Sequence, residues 1–259
     1  MRPHVAWLHV APIKALAIEE RDRIELGPLG VEDDRRFCIV DSEGRMLNAK
    51  RVHQFVAIRP RSADGMRHLT LAMPDGTEIA GDVDLGAPIT VSIYRRHVRA
   101  RIVDGPFADA LSSLAGRPVR LVRFDDPGEG VDRAGEHAGA TLLSEGSLSA
   151  IATAAGVDGP VDPRRFRMLI GIADVPAHAE DSWIGSRVRV GSAVVIPEGN
   201  VGRCAVTTLD PDTGTSDLDT LAALGRYRSA QVTTEPLAFG VWASVAEPGL
   251  VRVGDDVHV

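Results

Sequence analysis

Cysteine, lysine and long apolar runs are all scarce in this chain of 259 residues. Its two cysteines, Cys38 and Cys204, are too few for a disulfide framework, so a reducing cytoplasm is the default expectation. No apolar run approaches the roughly 20 residues that a membrane-spanning helix needs. The N-terminal MRPHVAWLHVAPIKAL lacks the apolar core and cleavage site of a signal peptide, so neither a leader nor a membrane partner is expected. A net charge of −7 argues against nucleic acid as a partner. Of 29 basic residues only Lys14 and Lys50 are lysine. Arginine suits planar, two-pronged recognition of phosphate or carboxylate, and a biased genomic base composition produces the same preference.

What the chain has in quantity is β pattern. Hydrophobic residues make up 44% of it, ample for one large or two small cores. His4 to Val10 reads as a strand. Arg36 to Val40 and Arg45 to Asn48 flank Asp41-Ser42-Glu43-Gly44 as a hairpin. Leu69, Leu71 and Met73 alternate, as do Ile89, Val91 and Ile93, and Val98, Ala100 and Ile102. A helix from Pro106 to Gly116 interrupts this half, with Phe107, Leu111 and Leu114 on one face. Val119 to Phe124 is a further strand. Asp125 to Gly139, rich in glycine and charge, reads as a linker or loop. It divides the chain into two β-rich domains, 1–124 and 125–259.

In the second half Ser144 can cap a helix that closes at Gly156. Phe166 to Ile172, Arg187 to Ile196 and Cys204 to Leu209 read as strands. Asp217 can cap a short helix ending at Gly225. Phe239 to Val245 and Val251 to Val259 follow, expected near one another across the Pro248-Gly249 turn. The fold class is mostly β, barrel-like, with a few short helices.

The chemistry concentrates between Gly199 and Gly214, GNVGRCAVTTLDPDTG. Cys204 follows Arg203, and a neighbouring guanidinium favours a thiolate, the form that binds metals and attacks electrophiles. Taken alone, such a cysteine is more often a small buried hydrophobe. Cys38 reads as strand core, and Glu180-Asp181 with Trp183 as a structural turn.

The pieces VAPIKAL (Val10–Leu16), LGVEDDRRFCIVD (Leu29–Asp41) and Gly44–Arg51 resemble the N-terminal β-barrel domain that accompanies the MOSC domain, named after the C-terminal part of molybdenum cofactor sulfurase. Leu142–Leu148, DPRRFR (Asp162–Arg167), EDSWIG (Glu180–Gly185), the Cys204 run and Pro248–Val257 resemble MOSC itself. The arrangement is similar to that of the mitochondrial amidoxime-reducing component and its bacterial relatives.

The resemblance implies a molybdenum cofactor (molybdopterin) held between the domains, with Cys204 as metal ligand and catalytic residue. A molybdenum bearing two dithiolene sulfurs accepts a third soft thiolate readily. Lys14, Arg36 and Arg167 match the family's basic positions and are the expected cofactor-binding residues. Alternation along a strand would put Arg165 and Arg167 on one face, and Arg164 and Phe166 on the other. The implied function is an oxidoreductase reducing N-hydroxylated or N-oxygenated small molecules by oxygen-atom transfer, served by a separate electron-transfer protein. No cysteine cluster for an iron–sulfur group is present, and pyridoxal phosphate is not expected.

The alternatives are a sulfur carrier using a Cys204 persulfide without molybdenum, and a non-enzymatic cofactor carrier. Family members usually carry Tyr and Ser around the Pro-x-Lys motif and Pro-Asn after Arg-Phe-Arg. Here these positions are Ala11, Ala15, Met168 and Leu169, and the polar residues before the Leu-Leu-Ser-Glu run are replaced within Glu136 to Ala140.

Overall fold

Three α-helices, α1 (Phe107–Ala115), α2 (Glu145–Ala155) and α3 (Thr220–Tyr227), sit among short β-strands in the computed structural model, which describes residues 2–133 and 139–259. Part of the expected Asp125–Gly139 loop, and Glu136 with it, lies outside the described residues.

The second lobe is a curled eight-stranded sheet. Its strands lie in the order Val257–His258, Val188–Val190, Ala193–Gly202, Ala238–Glu247, Ala140–Ser144, Ile170–Ala173, His4–Val10 and Glu19–Glu20. Every pairing is antiparallel except Ala140–Ser144 with Ile170–Ala173, which α2 joins as the crossover that a parallel pair requires. The core under this sheet draws Val5, Leu8 and Val10 from the chain start, with Leu142, Ile170 and Val241. The strand Arg23–Leu26 likewise pairs with Gly249–Arg252. The first strands thus complete the second lobe, which a division at 124/125 does not anticipate.

The first lobe holds a five-stranded sheet, ordered Met46–Leu47, Phe37–Asp41, Val119–Phe124, Arg96–Asp104 and Asp84–Ile93. A three-stranded meander, Arg59–Ala63, His68–Ala72 and Glu78–Asp82, packs with it. Phe107 and Leu111 of α1 fill the shared core, and alternation along His68–Ala72 turns Leu69 and Leu71 inward.

Local patterns hold where neighbours decide them. The helix from Pro106 ends on Gly116 and α2 ends on Gly156, both left-handed, with N–H groups returned to the last turn. Ser144 stands at the N-cap position of α2, but its hydroxyl bonds Ser147 Oγ at 2.6 Å instead of the helix backbone. Cys38 is fully buried in its strand.

Five expectations need correction. Pro163–Phe166 is a 3-10 turn, its first N–H held by Asp162, and the strand begins only at Ile170. Arg187 to Ile196 is a hairpin turning at Gly191, not one strand. Ala205–Thr208 is a 3-10 turn because Thr207 Oγ1 and Thr208 Oγ1 bond back to the carbonyls three residues earlier, Cys204 O and Ala205 O (3.0 and 2.8 Å). The cap of α3 is Asp219, which accepts from Ala222 N at 2.9 Å, and the helix runs through Gly225 to Tyr227. The strand after Pro248 pairs with Arg23–Leu26 instead of folding back on Ala238–Glu247.

Candidate functional site

Cys204 leaves the sheet at the end of Ala193–Gly202 in extended backbone, half-buried, just before the threonine turn. Two sets of contacts hold it there. Leu209 is buried in the core of the first lobe, with Val206 packed beside it, so the cysteine loop is planted in the opposite lobe. The arginines of DPRRFR grip the loop from its own lobe. Arg165 makes a two-pronged pair with Asp217 (2.7 Å to each oxygen) and Arg164 one with Asp212 (2.9 and 2.8 Å). Arg59 of the first lobe reaches the same Asp212 at 2.8 Å. These arginines are scaffold, and the alternation expected for them fails because the segment is a turn.

The facing wall comes from Ala11–Leu16 laid against Asp34–Phe37. Ala11 N donates to Asp34 Oδ1 (2.8 Å), Arg35 N to Ala11 O (2.6 Å) and Lys14 N to Phe37 O (2.8 Å). Lys14 is buried, and its Nζ donates to Gly130 O at 2.8 Å and Asp132 Oδ1 at 2.5 Å. Burial pulls its pKa down, and Asp132 opposes that pull. Arg35 pairs with Asp34 and donates to Arg167 O at 2.9 Å.

The Arg167 guanidinium has its NH2 group buried with no hydrogen-bond partner among the described residues. Burial, and then the charge of Arg35, push its pKa down. Strain gathers here too. Ala15, Arg35, Tyr94 and Arg167 all line the cleft with φ between 52° and 78°, left-handed values that cost roughly 1–2 kcal/mol in a non-glycine residue.

Between these walls lies a cleft of about 210 Å³. Lys14, Arg167 and Cys204 all line it. Arg36 does not; it is buried beside Arg123, with one N–H given to Asp125 O at 3.0 Å. Its neighbour Arg35 lines the cleft instead. The two side chains diverge, with Arg35 in left-handed backbone just before the strand, and the pair of letters does not say which of them meets the cleft. Sequence reading also passed over Tyr94, at a hairpin tip, and Trp242, in a central strand.

Arg203 has a structural part that its place beside Cys204 does not announce. Its guanidinium is spent on the floor of the cleft, on Phe239 O (2.9 Å), Phe166 O (2.8 Å) and the Met168 sulfur (2.7 Å), lying over the Phe166 ring. It braces the cysteine loop and makes no hydrogen bond to the thiol.

Seven basic side chains line the cleft against two acidic ones, Asp34 and Asp132, so it selects for anions in a chain that is negative overall. The class is therefore a two-lobed β protein with a basic interlobe cleft carrying one accessible cysteine. Residues 2–116 match the MOSC N-terminal beta barrel domain and residues 130–258 the MOSC domain. The chain belongs to the MOSC family.

Among curated relatives it is 27% identical to mitochondrial amidoxime-reducing component 1 of Mus musculus, over 98% of this chain and 82% of that protein. It is 24% identical to the Danio rerio protein of the same name, over 98% and 84%. It is 27% identical to molybdenum cofactor sulfurase of Danio rerio, over 91% of this chain and 31% of that protein. No helix among the described residues is long and apolar enough to cross a membrane.

Proposed function

We propose that this chain is a cytoplasmic oxidoreductase that binds a molybdenum cofactor between its lobes. It reduces N-hydroxylated or N-oxygenated small molecules with electrons from a separate donor protein. One observation carries the reading: Cys204 shares a cleft with the buried, unpartnered NH2 of Arg167, a thiol and an unspent cation in one hollow. A buried guanidinium N–H group without a partner is expensive to maintain, and an anionic group of the cofactor would remove that cost. Among the described residues no group of three or more His, Cys, Asp or Glu is arranged to hold a metal ion. A metal on Cys204 therefore has to bring its remaining ligands with it, as a dithiolene cofactor does.

When bound, the cofactor supplies the two-electron oxygen-atom chemistry. The protein's own part is narrower. Cys204 would hold the metal and Arg167 would neutralise the anionic end, while Arg35 fixes the Arg167 backbone and Trp242 and Tyr94 line the cleft that a small molecule would enter. The names of the amidoxime-reducing relatives support the substrate class. The test is metal analysis of protein purified from a host that makes the cofactor. Near-stoichiometric molybdenum is expected in the natural chain and none in Cys204→Ser. Absence of molybdenum from both sinks the reading.

A second reading, a sulfur carrier, is favoured by the apolar character of Ala15, Met168 and Leu169 along the cleft, where a pterin needs polar partners. It predicts a one-sulfur mass increase on Cys204 after incubation with a cysteine desulfurase, in protein free of molybdenum.

A further inference from the structure

Lys14 and Asp132 form an uneven pair. The lysine side chain is 9% exposed and the aspartate 65%. The carboxylate therefore has water as a replacement partner, while the ammonium keeps only the neutral carbonyl of Gly130. A buried ammonium needs an anion to remain charged, whereas a solvated carboxylate leaves an ion pair at little cost. Once Asp132 turns away, Lys14 is a cation that takes the nearest anion the cleft offers.

The backbone on either side of Asp132 is anchored, by the contacts of Glu129 to Val131 before it and by Arg133 after it. Arg133 pairs with Glu235 and lies over the Trp242 ring, so only the carboxylate itself is free to turn. Arg96 donates to Glu129 O (3.1 Å) and Val131 O (2.8 Å) and pairs with the Glu129 carboxylate. Gly130 lies flush on the wall that carries Lys14, where a Cβ would stand 1.9 Å from Arg35 O. The backbone is thus fixed against Arg35, and Asp132 is the next acidic side chain beyond those anchors.

We propose that Asp132 is an internal competitor for the cleft: its carboxylate holds Lys14 until a phosphate-bearing ligand displaces it into solvent. The proposal rests on reading the cleft as an anion site, and not on molybdenum. Loading is then an exchange, one carboxylate for one phosphate at the same ammonium. Until then the resident carboxylate keeps Lys14 charged. It also sets a threshold, because a weak anion cannot outcompete a tethered one.

The experiment titrates inorganic pyrophosphate calorimetrically into the full chain, prepared from a host that makes no molybdenum cofactor. Asp132→Asn keeps the size and removes the charge, and should bind pyrophosphate about three- to fivefold more tightly than the natural chain. The same substitution in a Lys14→Gln background should change nothing. In a Lys14→Arg background, which keeps the charge should the glutamine variant fold poorly, the gain should persist.

Unaltered affinity in Asp132→Asn overturns the proposal. So does a gain that survives Lys14→Gln, which marks general repulsion, and so does failure of pyrophosphate to bind any of these proteins. The metal analysis of Cys204→Ser is independent: either result can fail while the other stands.

Discussion

Arg203 and Arg167 stand on the same cleft, both half-buried, both with their pKa pushed down chiefly by desolvation, and they do opposite things. Arg203 spends its donors on two backbone carbonyls and a sulfur. Arg167 keeps one NH2 without a partner among the described residues. The cation beside the cysteine in sequence is framework, and the cation brought from another segment is the one left unspent. Adjacency in the chain is therefore a poor guide to which charge serves a ligand; the ledger of hydrogen bonds is a better one.

The largest effect should come from breaking the spent member. Arg203→Met leaves Phe166 O and Phe239 O buried without their donor, and should cost about 3–5 kcal/mol of unfolding free energy. Chemical denaturation measures it. A loss under about 1 kcal/mol would show that the guanidinium is not the brace described. The cysteines give a parallel contrast. Burial pushes the Cys38 thiol up to about 12 against the pull of Lys14, so it stays protonated in an apolar strand. Cys38→Ser buries a hydroxyl there and should cost about 1–3 kcal/mol by the same assay.

How much of this was legible in the letters follows from the range of the forces. His68–Ala72 was readable because alternation is written into consecutive residues, and His4–Val10 and Val119–Phe124 because each is a short run rich in β-prone residues. That His4–Val10 lies beside Ile170–Ala173 was not, since nothing local specifies a partner so far along the chain. The run Val206-Thr207-Thr208 carries β propensity, yet the two hydroxyls find carbonyls within their own turn and the strand is lost.

Lys14, Arg167 and Cys204 reached the page through family resemblance, and the structure brings all three to one cleft. Arg36 came by the same route and lies elsewhere. The competition at Lys14 was unreadable, because Asp132 belongs to a segment whose only written signature is glycine and charge.

The smallest changes in stability should come from the unspent members, and their sign sharpens the contrast. Arg167→Met replaces a half-buried cation, one of whose NH2 groups is buried without a partner among the described residues, with an apolar chain of similar length. The carbonyl of residue 167 still accepts from Arg35, and methionine is no more strained than arginine at φ 53°. Stability should stay level or rise by up to about 1 kcal/mol, while retention of a phosphate-bearing ligand falls by about tenfold or more. Cys204→Ser, at a half-buried position outside the core clusters, should move stability by no more than about 0.5 kcal/mol in either direction. A large loss in either variant would mean that the residue is part of the frame after all, and the division between spent and unspent groups would fall with it.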